Sequence, residues 1–359
     1  MMSVSDRLRF TIGSSVVALS LCGAMAHSQG EIVDPASKEL PNPNPTVIKG
    51  WGELPAGRTW GMTAGVEAGP DGQIWAYERC GANTCEGSNL DPVLKFDRKT
   101  GKLLKSFGGG TMVFPHGLHV DHDGNIWLTD GLANKEKTIG MQVLKFSPDG
   151  KVLMRLGKAG VGASTPDAFD EPCDVITAPN GDIFVSDGHR GQNENSPSAG
   201  GRIIKFTKDG KYIKEWGKWG SAPGEFKTPH AFAFDSKGRL FVADRGNLRI
   251  QIFDQDGKYL GEYKQFSRPS GLFIDKKDTL FVIDSETNPR RHPGWSTGVR
   301  IGNAKEDKVF AFIPPHHSDA PSGVAGEGIT VDADGNVYAA EGPISRKIAE
   351  GGLTKYAKK

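Results

Sequence analysis

Residues 117–130 read GLHVDHDGNIWLTD, an apolar run, a polar turn and a second apolar run that ends in an acid. The Asp-Gly pair in the turn supplies the positive φ that a tight β-hairpin requires. Apolar residues on both sides are typical of strands packed between neighbouring layers. This stretch therefore predicts a strand–turn–strand unit.

The same unit recurs along the chain, and internal repetition of this kind is the signature of a modular fold. The further copies are residues 65–78 (GVEAGPDGQIWAYE), 174–187 (DVITAPNGDIFVSD), 231–244 (AFAFDSKGRLFVAD), 271–284 (GLFIDKKDTLFVID) and 328–341 (GITVDADGNVYAAE). Several copies continue into a second hairpin, most clearly over 143–157, 203–217 and 250–263. Four strands per unit, repeated radially, predict an all-β fold, a six-bladed β-propeller.

The two ends of the repeat region complement each other. Residues 353–357 (LTKYA) match a third strand, after which the last unit stops, whereas residues 47–57 (VIKGWGELPAG) resemble the fourth strand at 212–224. We therefore expect the N-terminal strand to close the last blade. A long solenoid is the competing architecture, but it does not require complementary ends.

The first residues indicate a targeting segment. Two arginines, an apolar run and the small-x-small sequence Ala-Met-Ala predict a signal peptide over 1–26, cleaved near Ala26. We expect an extended lead-in over 27–45 and the propeller over 46–359. The apolar run is too short for a transmembrane helix, and no later stretch reaches the required length. A periplasmic or secreted location, without a membrane span, follows as the expectation.

Charge and cysteine usage narrow the class further. Without residues 1–26 the chain carries as many Lys and Arg as Asp and Glu, which gives no basic surface for nucleic acid. We expect a monomer. Cys80 and Cys85 enclose a short loop and predict a local disulfide in an oxidising compartment. Cys173 is left without a disulfide partner, and we expect it to be a small buried hydrophobic residue on a strand.

Three residues that precede innermost strands of alternate blades point to a metal. They are His116 in Phe-Pro-His-Gly, His230 in Thr-Pro-His-Ala and Glu327 in Gly-Glu-Gly. Equivalent positions of different blades meet around the channel of a propeller. Two imidazoles and a carboxylate form a ligand set for Zn²⁺ with an open position. The alternative is that these are separate loop residues bonded to the backbone.

Residues after the second strands suggest a ligand with a carboxylate. Arg79 and Arg245 follow Glu78 and Asp244 at equivalent places, and His189 lies near the matching place in the third unit. Arginine binds carboxylates through two parallel hydrogen bonds, and histidine exchanges protons near neutral pH. Inter-blade salt bridges and an exposed loop histidine are the simpler alternatives.

At these residues the chain resembles the peptidyl-α-hydroxyglycine α-amidating lyase family of NHL-repeat propellers. The similarity covers nearly all of 47–359 and is most specific over 114–130, 174–188 and 229–253. The resemblance implies a zinc-dependent carbon–nitrogen lyase that cleaves a C-terminal α-hydroxyglycine into a peptide amide and glyoxylate. It assigns His116 and His230 as zinc ligands and Arg79 and Arg245 as active-site arginines.

The chain departs from this family at three places. Glu327 stands where the third zinc histidine belongs, and His189 stands where the family has its catalytic tyrosine. Gly328 replaces an aspartate that helps to bind Ca²⁺ in the channel, which argues against calcium although Leu118 retains its backbone carbonyl. The first two substitutions keep a zinc ligand and an acid–base group, the latter with a different pKa.

Three functions are consistent with these residues. The first is an exported zinc-dependent lyase that acts on a small molecule or on a peptide C-terminus. The second is a non-catalytic propeller that binds a peptide, a small ligand or a partner protein on its top face, because the fold alone does not decide function. The third, a metal-dependent lactonase, requires more carboxylate and amide ligands than the sequence offers.

Overall fold

Each repeat unit forms the first two strands of a four-stranded antiparallel sheet. The computed structural model describes residues 34–38, 40–192, 200–316, 326–341 and 352–359, within a compact unit, Val33–Lys359. These residues form six four-stranded sheets, which are arranged as the blades of a β-propeller. The prediction of fold class is confirmed.

The strands are numbered along the chain. Strand β1 is Thr46–Ile48; blade 1 contains β2 (Thr63–Ala68), β3 (Ile74–Glu78), β4 (Val93–Phe96) and β5 (Leu103–Phe107). Blade 2 contains β6 (Pro115–Val120), β7 (Ile126–Asp130), β8 (Gln142–Phe146) and β9 (Val152–Leu156). Blade 3 contains β10 (Pro172–Thr177), β11 (Ile183–Asp187), β12 (Arg202–Phe206) and β13 (Tyr212–Trp216).

The second half of the ring repeats this order. Blade 4 contains β14 (Pro229–Phe234), β15 (Leu240–Asp244), β16 (Arg249–Phe253) and β17 (Tyr259–Tyr263). Blade 5 contains β18 (Gly271–Ile274), β19 (Thr279–Asp284), β20 (Gly298–Asn303) and β21 (Glu306–Ile313). Blade 6 contains β22 (Gly326–Val331), β23 (Val337–Glu341), β24 (Gly352–Ala357) and β1. Short 3₁₀ helices lie at Pro35–Lys38, His189–Gln192 and Arg245–Asn247.

The tight turn between the two inner strands of a blade depends on a left-handed residue. Gly124 has φ 82° in blade 2, and its N–H donates to the carbonyl of Asp121. Blade 5 lacks glycine at this place, and Asp278 adopts φ 63° there with the same bond, to Asp275. Aspartate tolerates this conformation better than most residues, which explains how the 271–284 repeat keeps its turn.

The ring is closed by the N-terminal strand, as the sequence predicts. Strand β1 pairs antiparallel with β24, with Val47 opposite Tyr356. The chain then continues to Trp51, whose N–H donates to the carbonyl of Leu353 at 2.8 Å. The Trp51 ring packs edge-on against Tyr338 of blade 6 and Phe96 of blade 1. Both strand pairing and aromatic packing therefore join the two ends of the propeller.

The core lies between the blades rather than at a single centre. Residues of blade 1 such as Tyr77 and Val93 pack with Leu128 and Leu144 of blade 2 in one buried cluster. The other interfaces follow the same arrangement, as in the cluster of Phe241 with Leu272. Because each blade buries both faces against its neighbours, its strands have apolar residues on both sides.

The described part of the lead-in lies on blade 5. The carboxylate of Asp34, which is buried, accepts hydrogen bonds from Arg300 Nη2 at 2.9 Å and from the Ser296 N–H at 3.0 Å. The carbonyl of Pro41 accepts from the N–H of Phe312. Residues 1–26, the predicted signal peptide, lie outside the described residues. Within the described ranges, no helix combines the length and apolar character that a membrane crossing requires.

The cysteine predictions are confirmed. Cys80 and Cys85 form a disulfide with their Cα atoms 5.1 Å apart. Cys173 is free and fully buried on β10. The disulfide closes the loop directly after Arg79, and this loop also carries Asn83, which accepts a hydrogen bond from Arg79 Nη1 at 2.8 Å. The cross-link therefore supports a residue of the candidate site.

Candidate functional site at the end of the channel

A β-bulge at the start of the innermost strand aims the predicted metal ligands inward. In blade 2 the pairing shifts between Pro115 and Leu118, and in blade 4 it shifts between Pro229 and Phe232. His116 and His230 each lie in such a shift. A bulge adds one residue to a strand and redirects its side chain. His116 and His230 therefore occupy equivalent positions in blades 2 and 4, as a shared metal site requires.

A buried acid at the end of the second strand fixes each of these bulges in place. Asp130 accepts hydrogen bonds from the backbone N–H groups of Val113 and Phe114, directly before β6. Asp244 accepts from the N–H of Lys227 at 3.0 Å, just before β14. The acid that ends each of these repeats thus holds the segment directly before the strand that carries His116 or His230.

His116 and His230 share one hydrogen-bonding arrangement. The Nδ1 atom of His116 lies 2.8 Å from the carbonyl oxygen of Cys173, and that of His230 lies 2.6 Å from the carbonyl oxygen of Ser270. A carbonyl only accepts, so each Nδ1 carries the proton and each Nε2 presents a lone pair. Both Nε2 atoms are buried and have no hydrogen-bond partner among the described residues.

His189 joins these two imidazoles. It begins the 3₁₀ helix His189–Gln192 that follows β11, and its ring centroid lies 4.6 Å from that of His116 and 5.6 Å from that of His230. One ligand nitrogen from each of the three residues lies within 4.8 Å of the others. Three converging imidazoles, two of which have an Nε2 without a partner among the described residues, fit a divalent cation such as Zn²⁺.

The surroundings hold the three histidines neutral. Burial lowers the pKa of His116 and of His230 well below the ordinary value, and nearby His189 and Arg245, respectively, act in the same direction. Burial and the charge of Arg245 lower the pKa of His189 to about 3. Neutral imidazole is the form that binds a metal. The cluster therefore offers donor atoms across the physiological pH range.

The two predicted arginines lie buried beside this cluster. The guanidinium of Arg79 stacks on the Phe114 ring at 3.6 Å, and its Nε donates to the carbonyl of Pro115. Arg245 Nη2 donates to Gln192 Oε1 at 2.8 Å and lies 3.4 Å from His189 Nε2. The Nε and Nη1 groups of Arg245 are buried without a hydrogen-bond acceptor in the described part of the chain. Arg245 therefore has donors that an anionic ligand could engage, although its Nη1 also lies within ion-pair distance of two carboxylates, those of Glu286 and Glu327.

Blade 5 adds charged residues that the sequence analysis missed. Glu286 lies 3.1 Å from Arg268 Nη2, 3.8 Å from Arg245 Nη1 and in direct contact with Arg291. Burial alone would raise the pKa of Glu286, but the three arginines lower it to about 2. Glu286 follows Asp284 by two residues, close to the repeat position of Arg79 and Arg245. This register was the signal that could have identified it.

Glu327 lies at the bulge of β22 but not within the three-histidine group. Its Oε1 is 3.6 Å from Arg245 Nη1, and its Oε2 is buried without a hydrogen-bond partner in the described ranges. Burial raises the pKa of Glu327 more than Arg79 and Arg245 lower it. The predicted set of His116, His230 and Glu327 thus shares one cavity, whereas the closest group of ligand atoms includes His189.

The cavity beside the histidines has a volume of about 1060 Å³. Its lining includes His116, His230 and Glu327 and continues along the inner strands to the hairpin turns at His122 and Asn180. At Gly328, a Cβ atom would lie 2.5 Å from the carbonyl oxygen of Ala64. No side chain, and hence no carboxylate ligand for calcium, fits at position 328 without movement of the backbone.

The protein is a six-bladed β-propeller with an acid at the end of each second strand and a buried histidine–arginine site at its channel. The NHL repeat family model matches residues 226–253. The chain belongs to the peptidyl-α-hydroxyglycine α-amidating lyase-like family of these propellers.

Individual proteins show how far the similarity extends. Peptidylglycine alpha-amidating monooxygenase of Rattus norvegicus is 35% identical over 261 residues, 69% of this chain and 24% of that protein. Peptidyl-alpha-hydroxyglycine alpha-amidating lyase 1 of Drosophila melanogaster is 33% identical over 187 residues, 48% of this chain and 31% of that protein. The chain thus spans about a quarter to a third of their lengths.

Solved structures support the fold. A gluconolactonase from Xanthomonas campestris superposes with a TM-score of 0.58 at 16% identity, covering 90% of this chain and 93% of that chain. At this identity the similarity concerns architecture alone.

Proposed function

We propose that the protein is a zinc-dependent lyase that cleaves an α-hydroxyglycine-like substrate into an amide and glyoxylate. One observation carries this proposal: His116 and His230, whose Nε2 atoms have no hydrogen-bond partner among the described residues, converge with His189 beside buried Arg245. A metal next to an anion-binding group suits a substrate that carries a hydroxyl and a carboxylate on adjacent atoms. The names of the relatives support the same reaction.

His116, His189 and His230 would hold the metal. Three neutral imidazoles with one open position form a catalytic zinc set. When bound, the cation supplies Lewis acidity towards the substrate hydroxyl oxygen. Carbonyl oxygens of the following blades orient His116 and His230, which fixes the tautomer. In this assignment His189, expected from sequence to be an acid or base, is a ligand instead.

Arg245 and Arg79 would hold the substrate carboxylate. Both guanidiniums are buried, so an anion bound to them is shielded from water and interacts more strongly than at a surface. The Phe114 ring and Asn83 hold Arg79 in one orientation. Fixing the carboxylate also fixes the adjacent carbon and its hydroxyl relative to the histidines, and such positioning accelerates a reaction.

Metal analysis of the purified protein, combined with an assay of glyoxylate release from α-hydroxyhippurate, tests the proposal. We expect about one zinc per chain and glyoxylate release that stops when a chelator removes the metal. Protein that contains no metal and releases no glyoxylate contradicts the proposal. In that case the non-catalytic alternative, a propeller that binds a ligand or partner on its top face, is preferred.

We also propose that the protein is exported to the periplasm or medium as a monomer. The Cys80–Cys85 disulfide supports export, since such bonds persist in oxidising compartments. Cell fractionation and N-terminal sequencing test this, with His27 expected as the first residue of the mature chain. Protein retained in the cytoplasm with an intact N-terminus contradicts it, and light scattering tests the monomer.

A further inference from the structure

Glu327 is a buried carboxylate with one oxygen left unpartnered. The residue is 4% exposed, and its Oε2 has no hydrogen-bond donor among the described residues. A buried polar atom without a partner destabilises a fold by about 1–3 kcal/mol. Such an atom beside a cavity is therefore a candidate contact for a ligand.

The position of Glu327 identifies the kind of ligand that would contact it. Glu327, His116 and His230 line the same cavity, and Glu327 Oε1 lies 3.6 Å from Arg245 Nη1, itself an unpartnered donor. The site thus presents an acceptor, Glu327 Oε2, and a donor, Arg245 Nη1, that both lack a hydrogen-bond partner among the described residues. A ligand that carries a carboxylate next to a hydroxyl satisfies both, because the carboxylate accepts from Arg245 and the hydroxyl donates to Glu327.

The other carboxylate of the site does not offer the same contact. Glu286 Oε2 lies close to Arg245, Arg268 and Arg291, and no oxygen of Glu286 is left buried without a partner. Arg268 Nη2 donates to Glu286 at 3.1 Å. Glu286 therefore offsets part of the positive charge of the three arginines, whereas Glu327 has an oxygen available for a substrate.

We propose that Glu327 accepts the hydrogen bond, and then the proton, of the substrate hydroxyl. This inference rests on the proposed lyase function. The O–H bond breaks as its proton moves to Glu327, and the oxygen electron pair forms the C=O bond of glyoxylate. The C–N bond breaks, its electron pair remains on nitrogen, and Glu327 returns the proton to that nitrogen. The products are the amide and glyoxylate, with no oxidant or reductant required.

The assignment separates Glu327 from the metal. If Glu327 were a ligand, its removal would release the cation, whereas a proton acceptor is dispensable for metal binding. The readouts are therefore metal content, glyoxylate release and the binding of two unreactive acids. Mandelate carries a hydroxyl on the carbon next to its carboxylate, and phenylacetate lacks that hydroxyl.

The experiment compares the wild type with Glu327→Gln and with Glu262→Gln as a matched control. Glu262 lies on β17, the outermost strand of blade 4, and forms an ion pair with Arg249 of β16. We expect Glu327→Gln to keep its zinc and to lose at least about 100-fold in kcat. We also expect the ratio of its affinities for mandelate and phenylacetate, measured by calorimetry, to fall by about tenfold. The control is expected to behave as the wild type.

Loss of zinc from Glu327→Gln, or full activity in that variant, overturns the inference. Glu327→Asp serves if the glutamine variant does not fold, since a shorter carboxylate is expected to retain zinc and part of kcat with little change in KM. A wild type that releases no glyoxylate overturns the lyase proposal. In that case a mandelate preference that depends on Glu327 still supports the hydroxyl contact.

Discussion

The ring centroids of His116 and His230 lie 4.7 Å apart, with an angle of 72° between the ring planes. Each ring donates its Nδ1 proton to a backbone carbonyl of the following blade. Two separate repeats therefore use the same contact to fix the same tautomer. Because the contact crosses between blades, the orientation of each imidazole depends on closure of the ring and not only on its own strand. The site is a product of the assembled propeller.

His189→Ala is expected to lose most of the bound zinc, because it removes one of three nitrogens that converge within 4.8 Å. His119→Gln is the control, since His119 already contacts Glu67 and Thr177 through its two ring nitrogens. Metal per chain after purification and dialysis is the measurement. Equal zinc in the two variants would show that His189 is not a ligand.

Arg245→Lys is expected to weaken the binding of phenylacetate by about 10–100-fold, the loss expected when hydrogen bonds to a charged group are removed. Lysine keeps the charge but not the planar fork that binds a carboxylate through two bonds. Titration calorimetry at fixed ionic strength measures the effect. Arg155→Ala, an exposed change on β9, should leave affinity unchanged, and equal affinities in all three proteins would refute the carboxylate clamp.

Glu286→Gln is expected to destabilise the protein at pH 7 by about 3–5 kcal/mol, because it leaves buried arginines without their counter-charge. The pKa of Glu286 is about 2 in the folded protein and about 4.5 when unperturbed. Its stabilisation is therefore complete above about pH 4.5 and is lost as the pH falls towards 2.

The difference in melting temperature between wild type and Glu286→Gln should accordingly shrink between pH 5 and pH 3. Differential scanning calorimetry across this range measures it. A difference that stays constant with pH would show that the ionised carboxylate does not provide the stabilisation.

Trp51→Ala is expected to lower the free energy of unfolding by about 3–5 kcal/mol, the usual cost of truncating a large buried aromatic. Trp51 is 7% exposed and lies between Tyr338 and Phe96, where the last blade meets the first. Leu104→Ala on an outermost strand is the control, because Leu104 is 52% exposed and such changes usually fall within about 0.5 kcal/mol. Urea denaturation measures the free energy of unfolding of both variants. Equal values for Trp51→Ala and Leu104→Ala would show that the Trp51 contacts do not stabilise the closed ring.

The sequence by itself determined the repeat, the number of blades, the closing strand and the Cys80–Cys85 disulfide. These features depend on local patterns, in which apolar alternation, turn residues and short separations along the chain decide the outcome. Repetition also indicated that His116 and His230 are equivalent. The same reasoning placed Arg79 and Arg245 after the second strands of their blades.

Only the tertiary structure decided which side chains face one another. His189 lies on a 3₁₀ turn outside the strand register, so repeat alignment did not reveal that its ring approaches His116. Glu327 does occupy an equivalent bulge, but its Oε1 lies 3.6 Å from Arg245 Nη1 and its carboxylate is not part of the three-histidine group. Distances across a channel are set by the packing of whole blades, and no local pattern in the sequence contains them.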